Sequence, residues 1–508
     1  MEEKRILKLN YKNTLKIAFA FFGILMLWQV YNTYCPIILE KMLQEQGIET
    51  TNYLVGIIMA LDNVAAIFIM PIFGMLSDKT NTKWGKRMPY IVIGMMLTII
   101  VFPFIALMCM WNMFAGVIVF MMLFLIIMQS YRSPAVALMP DVTPKPLRST
   151  ANGLINLIGY FGGVFATVLG MLSIFKLNAD STLAEIQDKV IWPFAVCTAV
   201  LIFVLIFLII TIKENKMIEE TKEDVLYGEE LSDTLEKVDE ENNNLSKKDK
   251  RNLIIILLAI FLWFMSFNAF ETFGSLYFKN IVGDSTMYST MATILSVVSI
   301  LTFLSCSSLS NKIGRKLSII IGLIFITVAL TTIAIVSLNS KIIFINDEGN
   351  VLLGWKIFYI GMSILIGIGW ALININSFPM VVEYSNTKNL GKFTSYYYIS
   401  SMLAQTVTPI LVGLIMDFNT KGQRLLFVYS SIIMALAIIV FIFVQEKIKL
   451  KERIEKNKNN KHKSSLEKLG EIDDWKSISY QTDMRCLFYF ISFQVMVLNI
   501  YLYKIVQF

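Results

Sequence analysis

Apolar residues in this chain run in blocks too long for a soluble core helix, and short polar punctuation separates them. An apolar stretch of about 18 residues or more can cross the ~30 Å hydrocarbon layer of a bilayer. Such stretches lie near 14–35, 53–76, 89–110, 112–139, 149–175 and 190–212, and again near 252–278, 286–309, 316–338, 354–382, 392–416 and 424–445. Between the two sets lies KENKMIEETKEDVLYGEELSDTLEKVDEENNNLSKKDKR, residues 213–251. This stretch is too charged to enter lipid and too poor in apolar side chains to build its own core. The pattern predicts an all-α polytopic membrane protein. Two six-helix bundles, 1–212 and 252–445, are joined by a cytoplasmic linker at 213–251 and followed by a charged tail at 446–508. The tail turns apolar again, without a charge from Cys486 to Tyr503, and an extra span, an interfacial segment and a passenger sequence all stay open.

Composition narrows the class. Of 508 residues, 56% are hydrophobic and only 16% are Asp, Glu, Lys or Arg, with a mean hydropathy of +0.63. Soluble chains carry about a quarter of their residues as charges, so a soluble enzyme, a disordered scaffold and a secreted disulfide domain are excluded. Cys35, Cys109, Cys197, Cys306 and Cys486 are far apart and form no CxxC pair, while the single histidine, His462, sits in the Lys-rich tail. These patterns support neither a thiolate zinc site nor histidine acid–base chemistry. A phosphate loop of the form GxxxxGK followed by Ser or Thr does not occur, which disfavours ATP-driven pumping, and no cofactor is expected. The charged start MEEKRILKLNYKN leads into a full-length span with no small-residue cleavage site, so no cleavable signal peptide is expected.

The net charge of +7 resides in loops and tails, where Lys and Arg meet lipid headgroups; no nucleic-acid partner is expected. Loops on the amino-terminal side hold Lys12, Lys79, Lys83, Lys86, Arg87, Lys145 and Arg148 among others, and the opposite loops hold about half as many basic residues. A multi-pass protein of the cell membrane with a cytosolic amino terminus is expected.

The two sets of spans repeat. FNAFETFG at 267–274 overlays WQVYNTYC at 28–35 at an offset of 239, pairing Gln29 with Asn268 and Asn32 with Glu271. VVEYSNTKNLGKFTS at 381–395 overlays MPDVTPKPLRSTANG at 139–153 at an offset of 242, pairing Asp141 with Glu383 and Arg132 with Asn374. Parallel repeats of this kind are related by a pseudo-twofold axis along the membrane normal, the layout of a rocker-type secondary transporter with its site at the repeat interface.

The loop GMLSDKTNTKWGKRMPYIVIG at 74–94 is the most specific motif. Gly74 and Gly85 permit close helix approach and a tight turn, and Asp78 stands among Lys79, Lys83, Lys86 and Arg87. Such a charge cluster can latch one half against the other and break in the alternate state. It resembles the cytoplasmic loop signature of the major facilitator superfamily. Its counterpart, LSNKIGRKLSIIIG at 309–322, keeps Gly314, Arg315 and Lys316 but has Asn311 in place of the acid. The strings MALDNVAAIFIMPIFGMLSDKTNTKWGKRMPYI, YRSPAVALMPDVTPKPLRSTANGLINLIG and INSFPMVVEYSNTKNLGKFTSYYYISSMLAQTVTPILVG resemble the sugar-transporting branch that includes plant sucrose carriers. They are more loosely similar to the glycoside, pentoside and hexuronide cation symporters. The resemblance spans roughly 14–445 and implies cation-coupled uptake of a sugar or glycoside, usually with protons.

Candidate coupling residues follow from depth. Asp62 lies 12 residues before Gly74, about 18 Å from that helix end and near the bilayer midplane, where an ionised carboxylate is costly unless paired, hydrated or protonated. Arg132, nine residues before Asp141, can reach towards Asp62 or a sugar hydroxyl, or can snorkel to the headgroups. Glu271 lies about 29 Å along its helix, in an outer vestibule where it can couple or simply be hydrated. Sugar recognition needs donors and acceptors for hydroxyls and an aromatic surface for the ring. Trp28, Gln29, Asn32, Asn63, Tyr131, Asn268, Trp370, Asn374, Asn376, Tyr397, Tyr398 and Gln405 supply both, and each is equally suited to joining helices. The gating set comprises Gly74, Asp78, Gly85, Lys86, Arg87, Asp141, Arg148, Gly314, Arg315 and Glu383.

The expected function is proton-coupled symport of a sugar or glycoside by a monomer. A proton-driven exporter of amphipathic compounds is the alternative, favoured by 28 Met and 36 Phe residues that give adaptable apolar surfaces. A non-transporting membrane sensor is disfavoured by the Asp62 carboxylate.

Overall fold

The computed structural model describes residues 7–239, 247–384, 390–418 and 422–445. The apolar stretch at 486–503, His462, Cys486 and the side chain of Cys306 lie outside what is described. The described residues are nearly all helical, with no sheet, and twelve of the helices are long and apolar enough to cross a membrane.

The first set is α1 (Tyr11–Glu45), α2 (Thr51–Lys79), α3 (Met88–Met110), α4 (Phe114–Asp141), α5 (Arg148–Gly170) and α6 (Leu183–Thr211). After α7 (Glu214–Asp239) comes the second set: α8 (Lys247–Tyr277), α9 (Thr286–Ile313), α10 (Arg315–Leu338), α11 (Leu353–Val382), α12 (Leu390–Phe418) and α13 (Leu426–Ile442). Within the first set α1 packs on α5 and α6, and α3 on α4 and α6; within the second, α11 packs on α9 and α10, and α8 on α12 and α13. The sets meet through α2 with α12, α5 with α9 and α1 with α8.

Two helices begin or end away from their apolar blocks. Helix α6 starts seven residues before the hydrophobic run, because Thr182 and Glu185 form a reciprocal capping box that satisfies the free N–H groups of its first turn. Helix α1 continues past the apolar run to Glu45, carrying Glu40 into a fully buried position. Helix α5 meets α1 at Gly159, beside Leu25, and at Gly162, where a Cβ would lie 2.0 Å from the Phe22 carbonyl oxygen; a Cβ added at Gly163 would point into open space.

The α2–α12 crossing has a backbone cause. Pro409 has no N–H, so it leaves the carbonyl of Gln405 without its helical donor. Asn63 Nδ2, from the other half, donates to that oxygen at 3.4 Å. About two turns before Asn63, Gly56 lets α2 lie against the Pro409 carbonyl, where a Cβ would stand 2.2 Å from the oxygen. Further hydrogen bonds between the halves join Thr293 to Thr167, and Leu177 to Ser285 through both backbone and side chain. These contacts lie between mid-helix and the end remote from the linker, called the far side below.

The linker contains a docked helix. Glu214, at the start of α7, is fully buried, and its carboxylate accepts the backbone N–H groups of Lys86, Arg87 and Met88 at 2.8 to 3.1 Å. It thereby caps α3, whose own N-cap residue Arg87 offers no side-chain acceptor. Gly85 adopts φ +112° and leaves the space that the carboxylate fills, since a Cβ there would lie 2.2 Å from Glu214 Oε2. Asn215 adds bonds to the carbonyls of Thr82 and Lys83. Replacing Glu214 by Ala is expected to lower stability by about 1–2 kcal/mol, the usual cost of losing a helix cap. Thermal unfolding in detergent measures it, and an unchanged midpoint would mean that the cap is energetically idle.

Candidate functional site

Asp62 on α2 is 5% exposed, and Gln129 Nε2 on α4 donates to its Oδ1 at 3.2 Å. One turn beyond Gln129 on α4, Arg132 places its guanidinium 5.6 Å from the centroid of the Trp28 ring on α1, a cation–π distance. Arg132 is also within electrostatic reach of Asp62 and of Tyr131 and Tyr398. Tyr398 of α12 is 50% exposed and Tyr160 of α5 is 41% exposed.

At Glu271 the halves meet again. Tyr288 on α9 donates its hydroxyl to the Glu271 carbonyl at 3.2 Å and lies near the Gln29 side chain of α1, which itself donates to Thr33. Asn268, one turn before Glu271 on α8, lies near its carboxyl group. The repeat-related Gln29 and Asn268 therefore converge on one cluster.

Other candidates are placed differently. Trp370 stacks on Phe267 with centroids 3.8 Å apart, and Tyr397 packs edge-on against Phe264, Phe378 and Tyr398. Asn374 Nδ2 donates to the Trp370 carbonyl and Asn376 Nδ2 to the Leu372 carbonyl, each at 2.8 Å within its own helix. Gln405 Nε2 donates to Ser401 on its own helix, at 3.3 Å. Asn63 and Gln405 thus serve the α2–α12 contact, and Asn32 is half-buried on α1.

The basic loop forms a compact network. Arg87 Nε bonds Asp141 Oδ2 at 2.9 Å, and the guanidinium also pairs with Asp78, Ser77 and the Gly74 carbonyl. Lys86 Nζ lies 3.1 Å from Asp141 Oδ1, and Gly74 sits against Ser133. Burial alone would lower the Arg87 pKa, but Asp141 and Asp78 outweigh it and hold the guanidinium above its ordinary value. Arg148 donates to the carbonyls of Thr143 and Pro140 and lies 3.8 Å from Glu229 of α7. In the second half Gly314, at φ +89°, leads into α10, and Arg315 pairs with Glu383. The repeat alignment of Asp141 with Glu383 thus corresponds to an acid–Arg pair in each half. Each pair ties helices of its own half together, whereas the charge pattern of the loop suggests a latch from one half to the other.

Gln129, Tyr160 and Tyr288 were not singled out in the sequence. Gln129 stands three residues before Arg132, on the same helix face, and that spacing was a usable signal. The tyrosines carried none, because aromatic residues are common throughout the spans.

Twelve helices that can cross a membrane, packed in two sets with the buried Asp62 and the half-buried Arg132 in the spans, fit a multi-pass membrane transporter. The family model of the Major Facilitator Superfamily matches residues 17–362 and 349–508, and the chain belongs to that superfamily. A lactose permease of Leuconostoc lactis is 34% identical over 119 residues, a match covering 22% of this chain and 19% of that protein. The match thus spans about a fifth of that relative's length. Among solved structures, the fold is shared with the inward open xylose transporter XylE from E. coli (TM-score 0.60, 11% identity, 87% of this chain and 98% of that one). It is shared also with a D-xylose-proton symporter (0.59, 13%, 85% and 98%) and with the nucleoside transporter NupG (0.54, 13%, 86% and 100%).

Proposed function

We propose that this transporter imports a sugar or glycoside together with protons by alternating access. It works as a monomer in the cell membrane, with its amino terminus and linker in the cytosol, the side on which the basic loops cluster. The observation that carries this reading is the convergence of Asp62, Gln129, Arg132 and Trp28 within the spans of the first half. A carboxylate in the membrane interior is suited to bind and release a proton, because its charged form is stable only while paired or hydrated. The guanidinium is a fork of fixed donors for hydroxyl oxygens, and the indole steers it and adds an aromatic surface. Gln129 Oε1 and Asn268 Oδ1 are buried acceptors without a protein partner, groups that a sugar hydroxyl or a water can satisfy. The lactose permease and the D-xylose-proton symporter add support for the sugar and the proton. With the linker in the cytosol, the bonded far side corresponds to an inward-facing state.

Counterflow in proteoliposomes with labelled mono- and disaccharides tests the reading. Saturable exchange of at least one sugar, driven uphill by an acid-outside gradient, is expected. Gln29→Leu and Asn268→Leu are each expected to raise the apparent binding constant about 5- to 150-fold, the cost of an unpaired buried hydroxyl. If neither variant changes affinity, the pocket lies elsewhere. If no sugar exchanges while amphipathic compounds are expelled at the expense of a proton gradient, the protein is an exporter.

A further inference from the structure

The far side holds charges that the transport reading leaves unused. Glu40, near the end of α1, and Lys279, just after α8, form an ion pair at 2.7 Å with both side chains 2% exposed. The other carboxylate oxygen of Glu40 accepts from Asn280 Nδ2 and Gln423 Nε2, each at 2.7 Å. Gln423 Nε2 also donates to Asn52 Oδ1 at 2.9 Å, and Asn52 Nδ2 donates to Asp417 Oδ1 at 2.7 Å. The path Lys279, Glu40, Gln423, Asn52, Asp417 crosses between the halves at every step.

Three features suit this file to opening and closing. The first is energetic. A buried ion pair repays its desolvation only with good geometry and a full set of hydrogen bonds, so it adds little net stability to a permanent joint. It suits a reversible one, because separation returns both charges to water. The second is positional. Glu40 and Lys279 are 239 residues apart, the same offset that overlays FNAFETFG on WQVYNTYC, so the pair consists of repeat-equivalent residues. Equivalent residues of two parallel repeats touch only near the pseudo-twofold axis. The π-turn Phe278–Val282 assists, because its wider winding brings the adjacent Lys279 and Asn280 onto one carboxylate. The third is the start of α2. Its N-cap residue, Thr50, makes no side-chain cap bond. Instead Asp417, from the other half, accepts the N–H groups of Asn52 at 3.2 Å and Tyr53 at 2.7 Å. Helix α2 is complete only while the halves touch here.

We propose that Glu40, Lys279, Gln423 and Asp417 form the latch of a far-side gate, which shuts by desolvating one on-axis ion pair and by capping α2 across the interface. The proposal rests on the alternating-access reading and assigns its outer gate.

The test is thiol accessibility in the full-length protein, with the native cysteines replaced by Ser and Ser289→Cys introduced. Ser289 is 1% exposed and faces Gly170 of the other half on the far side. A membrane-impermeant maleimide added from that side is expected to react slowly in the parent. Glu40→Gln and Lys279→Met should each accelerate labelling about 10-fold or more, a change of about 1.4 kcal/mol in the open population. The reversed pair, Glu40→Lys with Lys279→Glu, should return the rate to near the parent's. Should the single variants not survive purification, Asp417→Asn reads the other end of the same file with the same acceleration expected. Unchanged labelling in monodisperse variants, or a reversed pair as fast as the singles, overturns the latch. Labelling needs no substrate, so a gate that responds in a protein moving no sugar would leave the latch standing and remove the sugar reading.

Discussion

Asp62→Asn is expected to abolish concentrative uptake while leaving the protein folded and still able to exchange substrate. Asn has nearly the shape of Asp and can keep the contact with Gln129 at 3.2 Å. What it loses is the ability to take up and release a proton. Removing an interior charge removes its solvation cost, which offsets the loss of the acid near Arg132, and the Trp28 ring still faces the guanidinium, so the variant should fold. With an acid-outside gradient, accumulation in proteoliposomes should fall to the equal concentrations of facilitated diffusion, whereas counterflow persists. Full uphill uptake by this variant would exclude Asp62 from coupling. Loss of counterflow as well would place it in the substrate site.

The second large effect is on stability. Arg87 has a side chain 5% exposed and bonds to Asp141, Asp78, Ser77 and the Gly74 carbonyl, joining α2, α3 and α4. Breaking a buried ion pair by removing one partner costs about 3–5 kcal/mol, because the remaining charge is left unpaired. Asp78 is 59% exposed and can rehydrate, and Lys86 still reaches Asp141, so Arg87→Ala belongs at the lower end, about 3 kcal/mol. Arg87→Lys keeps the charge but not the fork, and an intermediate loss is expected. Thermal unfolding of the purified protein separates the three. Identical midpoints for Arg87→Ala and the parent would show that the network adds nothing to the fold.

The spans were legible because lipid imposes a length and an apolar composition that few other environments demand. Asp62 and Arg132 were legible for the same reason, as charges that stand out against an apolar run. Glu40 and Lys279 were not, because each sits near a helix end where charge normally means a hydrated loop. Their shared 239-residue offset is present in the sequence, but opposite charges at equivalent positions near helix ends do not stand out as polar residues inside an apolar span do. Asn63 illustrates a different limit. A mid-membrane carboxamide suits a ligand and a helix contact equally, and Pro409, which orphans the carbonyl that Asn63 approaches, lies more than three hundred residues away in the chain. Glu214 was hidden by its company, one acid in a stretch so charged that the whole was read as a linker.

That acid bears on where the chain can be divided. A break between α6 and α7, where the apolar pattern alone would put it, leaves a helix start of bare N–H groups in one fragment and a carboxylate shaped to meet them in the other. A break after Asp239 keeps Glu214 and Met88 in one polypeptide. The halves encoded as two genes should therefore reassemble from 1–239 with the remainder, and poorly from 1–212 with the remainder.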